Sequence, residues 1–152
     1  MPDLHDWITQ QIDHVEAAAH TATPGPWHVV EYGDWTEYAA GIGTSPDDDG
    51  IAGHGYEGGG VERLDDARHI ALHDPAAVLR RSAADRRILA EHAPQPDGSG
   101  FPNSRQCRTC SRDGGDGYHY LMPYPCPTVL AVADSYGEMP PALRGPNWKA
   151  TP

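Results

Sequence analysis

Cys107-Arg108-Thr109-Cys110, followed sixteen residues later by Cys126, is the stretch that decides how the second half of the chain folds. A Cys-x-x-Cys pair on a tight loop is a common half of a structural zinc site, and Cys126 offers a third thiolate. Three is an odd number of cysteines, so a framework of disulfides alone is disfavoured, and in a reducing compartment the pattern favours a metal. We therefore predict that Cys107, Cys110 and Cys126 bind a structural Zn²⁺ ion.

The fourth ligand has two candidates in the sequence. His119 lies seven residues before Cys126, and His92 lies at the end of a predicted helix. Spacing alone does not choose between them.

Cys126 precedes a proline and is predicted to be a helix N-cap, where the helix dipole lowers the pKa of a thiol. A redox role for Cys107 and Cys110 is less favoured, because a loop follows the pair instead of the helix typical of thioredoxins.

Hydrophobic periodicity and turn residues predict an α+β fold: an N-terminal helix, a small antiparallel sheet, a two-helix segment and a zinc-stapled C-terminal helix. Asp3 is predicted to cap the first helix, and Asp74 is predicted to cap a helix that runs unbroken from Pro75 to His92. The predicted segments are helices from Leu4, from Leu64 to His73, from Pro75 to His92 and from Pro127 to Tyr136, with strands at 27–32, 36–42 and 51–52.

The remaining segments are predicted to be irregular. Residues 93–100 are predicted to be a flexible connector and the glycine-rich residues 53–60 a mobile loop, because the loop lacks the Gly-Lys-Ser/Thr ending of a phosphate-binding loop. We predict one domain over residues 1–136, with its zinc region at 92–136, and an irregular proline-rich tail at 137–152.

The charge balance narrows the class of partner. The chain has 22 acidic and 11 basic residues in 152, for a net charge of −11 with neutral histidines. This balance argues against direct binding to the nucleic-acid backbone and favours a basic protein partner, or solubility alone. An acidic mimic of nucleic acid is a further interpretation that rests on charge alone. The sequence has no apolar run of the length that a membrane span needs and no signal-like N-terminus, so a cytoplasmic protein is predicted.

A second histidine pair supports an alternative function. His69 and His73 are four residues apart on a predicted helix, which places both imidazoles on one face, and Asp65, Asp66 and Asp74 are close in sequence. A metal-dependent enzyme of hydrolase type could use these residues. The glutamate that a zinc peptidase carries beside its first histidine is absent, so packing or hydrogen bonding at the corner between two helices is the simpler interpretation.

Several segments, in this order, resemble an uncharacterised actinobacterial and actinophage family, domain of unknown function 6221. The segments are Thr23-Pro24-Gly25-Pro26-Trp27, the block from Asp66 to Ala76, the helix end Arg87-Ile88-Leu89-Ala90-Glu91-His92, and Pro125-Cys126-Pro127-Thr128. The resemblance extends from about Leu4 to Tyr136. It implies that His92, a helix-end histidine of the family pattern, is the fourth ligand. It implies no activity, because the family has none assigned.

The function predicted from these observations is that of a small acidic zinc-binding protein. We expect it to act without catalysis, as an accessory or regulatory factor that contacts another protein. The metal-dependent enzyme that uses His69 and His73 is the alternative, and the two differ in whether the metal keeps an open coordination position.

Overall fold

The computed structural model describes residues 3–53, 58–115 and 117–144, and it shows a mixed α+β protein, as predicted. Within those residues there are four α-helices and three two-stranded antiparallel sheets, β1–β2, β3–β4 and β5–β6. The elements are α1 (Leu4–Thr21), β1 (His28–Glu31), β2 (Ala40–Gly43), α2 (Leu64–Leu72), α3 (Pro75–Glu91), β3 (Pro94–Pro96), β4 (Arg105–Cys107), β5 (Arg112–Asp113), β6 (His119–Tyr120), α4 (Pro127–Asp134) and a short 3-10 helix (Pro141–Leu143).

The chain divides into two compact units. Unit 1 comprises Met1–Asp13 and Ala83–Pro152, and unit 2 comprises His14–Ser82. Each unit has its own cluster of buried apolar side chains. The single domain over residues 1–136 stays a prediction.

Unit 2 is built on the β1–β2 hairpin, in which Val29 pairs with Ile42. Every residue of β2 is buried, and its Ile42 joins Ala40 and Ala67 in the core of this unit. Strand β2 requires glycine at its end, because a Cβ added to Gly43 would overlap the carbonyl oxygen of Asp48. The strand predicted at 36–42 is observed as the shorter Ala40–Gly43, and the strand predicted at 51–52 is reduced to one bridge between Ala52 and Ile42.

Asp74 caps α3 and also holds the start of the β1 segment. Its carboxylate accepts a hydrogen bond from the backbone N–H of Ala77 at 2.6 Å and a second from the N–H of Trp27 at 3.1 Å. The residue is only 6 % exposed, so both donors are satisfied away from water. The predicted cap is confirmed, and α3 continues without a break from Pro75 to Glu91.

Unit 1 packs the start of α1 against α4. Asp3 caps α1, as predicted: its carboxylate accepts from the N–H of Asp6 at 2.9 Å. The buried side chains come from α1, α3 and α4, from two cysteines and from the segment after α4: Leu4, Ile8, Ile12, Leu89, Cys107, Cys126, Val129, Leu130, Val132, Ala133 and Met139. The two fully buried cysteines thus belong to the core of this unit.

The predicted flexible connector at 93–100 is wrong over Pro94–Pro96, which form β3 and pair with β4 in the register Pro94–Cys107 and Pro96–Arg105. Proline is compatible with an extended edge strand, because its fixed φ suits that conformation. The only cost is the absence of one backbone N–H donor. Strands β4, β5 and β6 were not predicted either. We call β3 to β6, with the residues that join them and the segment up to Tyr124, the ribbon.

The glycine-rich loop prediction lies partly outside the described residues, at 54–57. Among the described residues, no helix combines the length and the apolar character that crossing a membrane requires.

Candidate metal centre

The end of α3 positions His92. The N–H of His92 donates to the carbonyl of Ile88 at 2.9 Å, so the backbone of His92 continues the last turn of α3. The next residue is tied to the ribbon, because the N–H of Arg108 donates to the carbonyl of Ala93 at 3.0 Å. His92 is half-buried and faces the turn that carries the first two cysteines.

The turn Cys107–Cys110, called the knuckle below, caps the C-terminus of α3. The guanidinium of Arg108 donates to the carbonyl of Ala90 at 2.7 Å, and the hydroxyl of Thr109 donates to the carbonyl of Glu91. These carbonyls belong to the last turn of α3 and have no partner inside the helix. A cation at this end also complements the helix dipole. The two residues between the cysteines therefore attach the knuckle to the helix that ends at His92.

Within the knuckle, the backbone N–H of Cys110 points at the sulfur of Cys107, with 3.4 Å between N and Sγ. The N–H of Ser111 closes the turn on the carbonyl of Cys107 at 3.0 Å. Both cysteine side chains are thereby held on one side of the turn.

Cys126 lies beside the knuckle because backbone hydrogen bonds within the ribbon bring the segment before it close to Cys107. The N–H of Cys107 donates to the carbonyl of Met122 at 2.8 Å, and the N–H of Tyr124 donates to the carbonyl of Arg105 at 3.0 Å. Cys126 follows as the N-cap of α4, as predicted, with an extended backbone and a proline at the first helical position. Its thiol makes no capping hydrogen bond, so the sulfur is available to the cluster.

The four side chains converge on one point. The Nδ1 atom of His92 lies 3.4 Å from the sulfur of Cys107, 3.4 Å from that of Cys110 and 3.5 Å from that of Cys126. All four donor atoms lie within 4.8 Å of one another, an arrangement compatible with a metal ion. For comparison, Zn–N and Zn–S bonds of about 2.0 and 2.3 Å at tetrahedral angles separate nitrogen from sulfur by about 3.5 Å.

The thiols influence one another's ionisation. Burial opposes ionisation of Cys107, but hydrogen bonds from the N–H of Cys110 and from the neighbouring thiols outweigh it, so the pKa of Cys107 is lowered. At Cys110, burial and the two nearby sulfurs raise the pKa to about 12. The protein groups alone thus favour the thiolate of Cys107 and disfavour that of Cys110. A bound divalent cation would stabilise all three thiolates.

The sequence was compared with the models of known protein families. Residues 1–138 match the model of a family of unknown function, DUF6221. The chain belongs to the DUF6221 family. The resemblance identified from the sequence is confirmed, while the actinobacterial and phage origin stays a prediction. No match was found among curated proteins or among solved structures.

The structure distinguishes the two histidines that are candidates for the fourth ligand. His119 lies on β6, where it pairs with Asp113, and it is exposed and outside the cluster of donor atoms. His92 is the histidine that lies among the three sulfurs. The β5–β6 hairpin follows the knuckle, and its His119 lines the same cleft as Cys110 without joining the group of donor atoms.

His69 and His73 lie on the surface of unit 2. Their rings lie with centroids 4.6 Å apart and planes tilted by 53°, and the guanidinium of Arg81 lies 3.1 Å from Nδ1 of His73. Of the nearby aspartates, Asp74 is committed to capping α3, and Asp65 lies 3.6 Å from Arg68. In the described part of the chain these residues form no group of three or more that could hold a metal.

Two contributions to the site were missed from the sequence. One is the capping of α3 by Arg108 and Thr109, and the other is the pairing of the ribbon that brings Cys126 to the knuckle. A basic residue and a threonine directly after the first cysteine are the only local signal for the capping. The strand pairs are too short to produce a hydrophobic period.

Proposed function

We propose that this DUF6221 protein binds one structural Zn²⁺ ion through His92, Cys107, Cys110 and Cys126. The observation that carries the proposal is the position of the His92 Nδ1 atom, 3.4–3.5 Å from all three sulfurs. Hydrogen bonds between one imidazole nitrogen and three thiols cannot all form at once, since a ring nitrogen has one donor or acceptor position. A central cation satisfies all four groups together.

The donor set favours zinc. Three thiolates and one imidazole are soft and borderline ligands, which suit Zn²⁺ and disfavour Mg²⁺ or Ca²⁺. Four protein ligands fill the tetrahedron and leave no position for a water, which supports a structural and not a catalytic role. The site would carry a net charge of −1, and the N-terminus of α4 at Cys126 partly offsets it.

Zinc bound here would join three parts of unit 1 that are separate in sequence: the end of α3, the knuckle and the start of α4. We infer that the protein is a cytoplasmic, non-enzymatic accessory or regulatory factor that contacts another protein. Three free thiols fit a reducing compartment, and the net charge of −11 fits a partner with a basic surface. The hydrolase alternative has no support from the described residues, because His69 and His73 share no site with a carboxylate.

Metal analysis of protein purified without chelators tests the proposal. We expect one zinc per chain by mass spectrometry, and Co²⁺ substitution should give the visible absorption of a tetrahedral thiolate site. His92→Ala should lose most of the metal, whereas the matched control His119→Ala should keep it. His92→Cys should retain zinc in an all-cysteine site and so separates loss of a ligand from misfolding. Full metal content in His92→Ala, or its loss in His119→Ala, would refute the ligand set.

A further inference from the structure

The three thiols of the candidate metal centre differ in their access to solvent. Cys107 and Cys126 are fully buried, at 0 % exposure. Cys110 is partly exposed and lines a cleft of about 610 Å³, whose other walls include Tyr120 and Met122. A small oxidant can therefore approach one ligand of the site directly, while the other two lie behind protein.

Cys110 also has a thiol partner on its own turn. Its N–H lies 3.4 Å from the sulfur of Cys107, and the donor atoms of the cluster lie within 4.8 Å of one another. A disulfide between residues three apart closes a short loop and needs only a small rotation of the two side chains. Cys126 is held separately, at the start of α4.

We propose that Cys110 is an oxidation site through which peroxide releases the metal, with Cys107 as the thiol that completes a disulfide. The proposal rests on the proposed zinc site. Exposure and thiolate character together determine which cysteines are oxidised, and a zinc-bound cysteine keeps its thiolate character.

The chemistry requires hydrogen peroxide as the oxidant and proceeds in two steps. The Cys110 sulfur attacks one peroxide oxygen, so that an S–O bond forms, the O–O bond breaks and hydroxide leaves. The product is a sulfenic acid. The Cys107 thiolate then attacks the Cys110 sulfur, the S–S bond forms, the S–O bond breaks and a second hydroxide leaves. Two electrons pass from the two sulfurs to the peroxide, and solvent protons convert both hydroxides to water.

The consequence is loss of two of the four ligands, which leaves only His92 and Cys126 for the metal. Two ligands do not retain a structural zinc ion, so the metal leaves and the knuckle is held by its disulfide instead. A dithiol reductant followed by Zn²⁺ should restore the original state, because no step goes beyond the reversible level of cysteine oxidation.

The experiment uses full-length protein already shown to contain zinc, treated with hydrogen peroxide. Zinc release is followed with a chromophoric chelator, and the cysteines are mapped by alkylation and peptide mass spectrometry at low conversion. We expect the Cys107–Cys110 disulfide to accumulate in step with released zinc while Cys126 remains alkylatable. Oxidation of Cys126 before Cys110, or zinc release without the Cys107–Cys110 disulfide, would overturn the proposal.

Two variants outside the ligand set test the role of the cleft. Tyr120 is 56 % exposed and forms part of the cleft wall, so Tyr120→Ala should widen the approach to Cys110 and speed zinc release by roughly threefold. Phe101→Ala is the matched control, because Phe101 is an aromatic residue, 75 % exposed, that does not line the cleft. Equal rates in both variants would contradict access through the cleft. Absence of zinc before peroxide is added would instead refute the metal site itself.

Discussion

We expect removal of the proposed Zn²⁺ ion to unfold the ribbon while the β1–β2 hairpin of unit 2 stays folded. Among the described residues of the ribbon, only Cys107 is fully buried in the core of unit 1, while Cys110, Met122 and Tyr124 are partly buried against that core. The ribbon therefore has few apolar contacts to offset the conformational entropy of ordering its backbone, about 1–2 kcal/mol per residue. The hairpin of unit 2 is packed on its own core, which includes Ile42 and lies outside the metal cluster.

The expected size of the change in stability follows from the binding free energy of a structural zinc site. Structural zinc sites in small domains supply about 10–16 kcal/mol of apparent binding free energy near neutral pH, as much as the whole stability of an ordinary domain. We expect the amides of Cys107 and Tyr124, which bond across the ribbon at 2.8 and 3.0 Å, to exchange at least about 1,000-fold faster without metal. That factor corresponds to about 4 kcal/mol of local stability.

Hydrogen exchange with mass spectrometry, on zinc-bound protein and on the same preparation after chelation, measures this difference. The internal control is the pair of unit 2 amides of Ile42 and Val61, whose hydrogen bonds of 2.8 and 2.7 Å to the carbonyls of Ala52 and Ala40 should keep their protection within about threefold. If the ribbon amides remain protected after metal analysis shows complete removal of zinc, the ribbon is held by its own contacts and the reasoning fails. Equal loss of protection in both units would refute the separate stability of unit 2.

Three further outcomes follow from contacts in the structure. Arg108→Ala should lower the free energy of unfolding by about 0.5–1 kcal/mol in thermal melts, because the carbonyl of Ala90 loses its donor, and an unchanged midpoint would count against the capping. Asp74→Ala should cost about 2 kcal/mol, since it leaves two backbone N–H groups without their acceptor; Asp74→Asn, which keeps an acceptor oxygen, should recover part of this. Hydrogen bonds from the Ser104 hydroxyl and other groups lower the pKa of Asp97 below 3.8, so its contribution to stability is present above that pH and is lost as the pH falls through the folded pKa. An NMR titration midpoint of Asp97 at or above 3.8 would contradict this.

Local signals in the sequence were sufficient to predict the helices and to identify the three thiols of the candidate site. Asp3 and Asp74 were recognisable as caps because a short acidic side chain before a helical run satisfies the free N–H groups of the first turn. A proline after Cys126 identified the N-cap of α4 for a similar reason, since its missing N–H costs nothing at the first helical position. These signals are local, so no knowledge of distant residues was needed.

Spacing along the chain did not decide which histidine meets the sulfurs: the family resemblance implied His92, and the tertiary structure brings His92 and not His119 into the group of donor atoms. The choice depends on strand pairs of two or three residues, which are too short to leave a hydrophobic period in the sequence. The β5–β6 pairing places His119 opposite Asp113 and outside the group of donor atoms, and the bond of Arg108 to the end of α3 holds the knuckle beside His92. Spacing along the chain carries no information about such contacts, because backbone groups common to every residue form most of them. The cysteine pattern by itself therefore determined the three sulfur donors of the candidate site, and the packing of the ribbon on α3 determined their arrangement around His92.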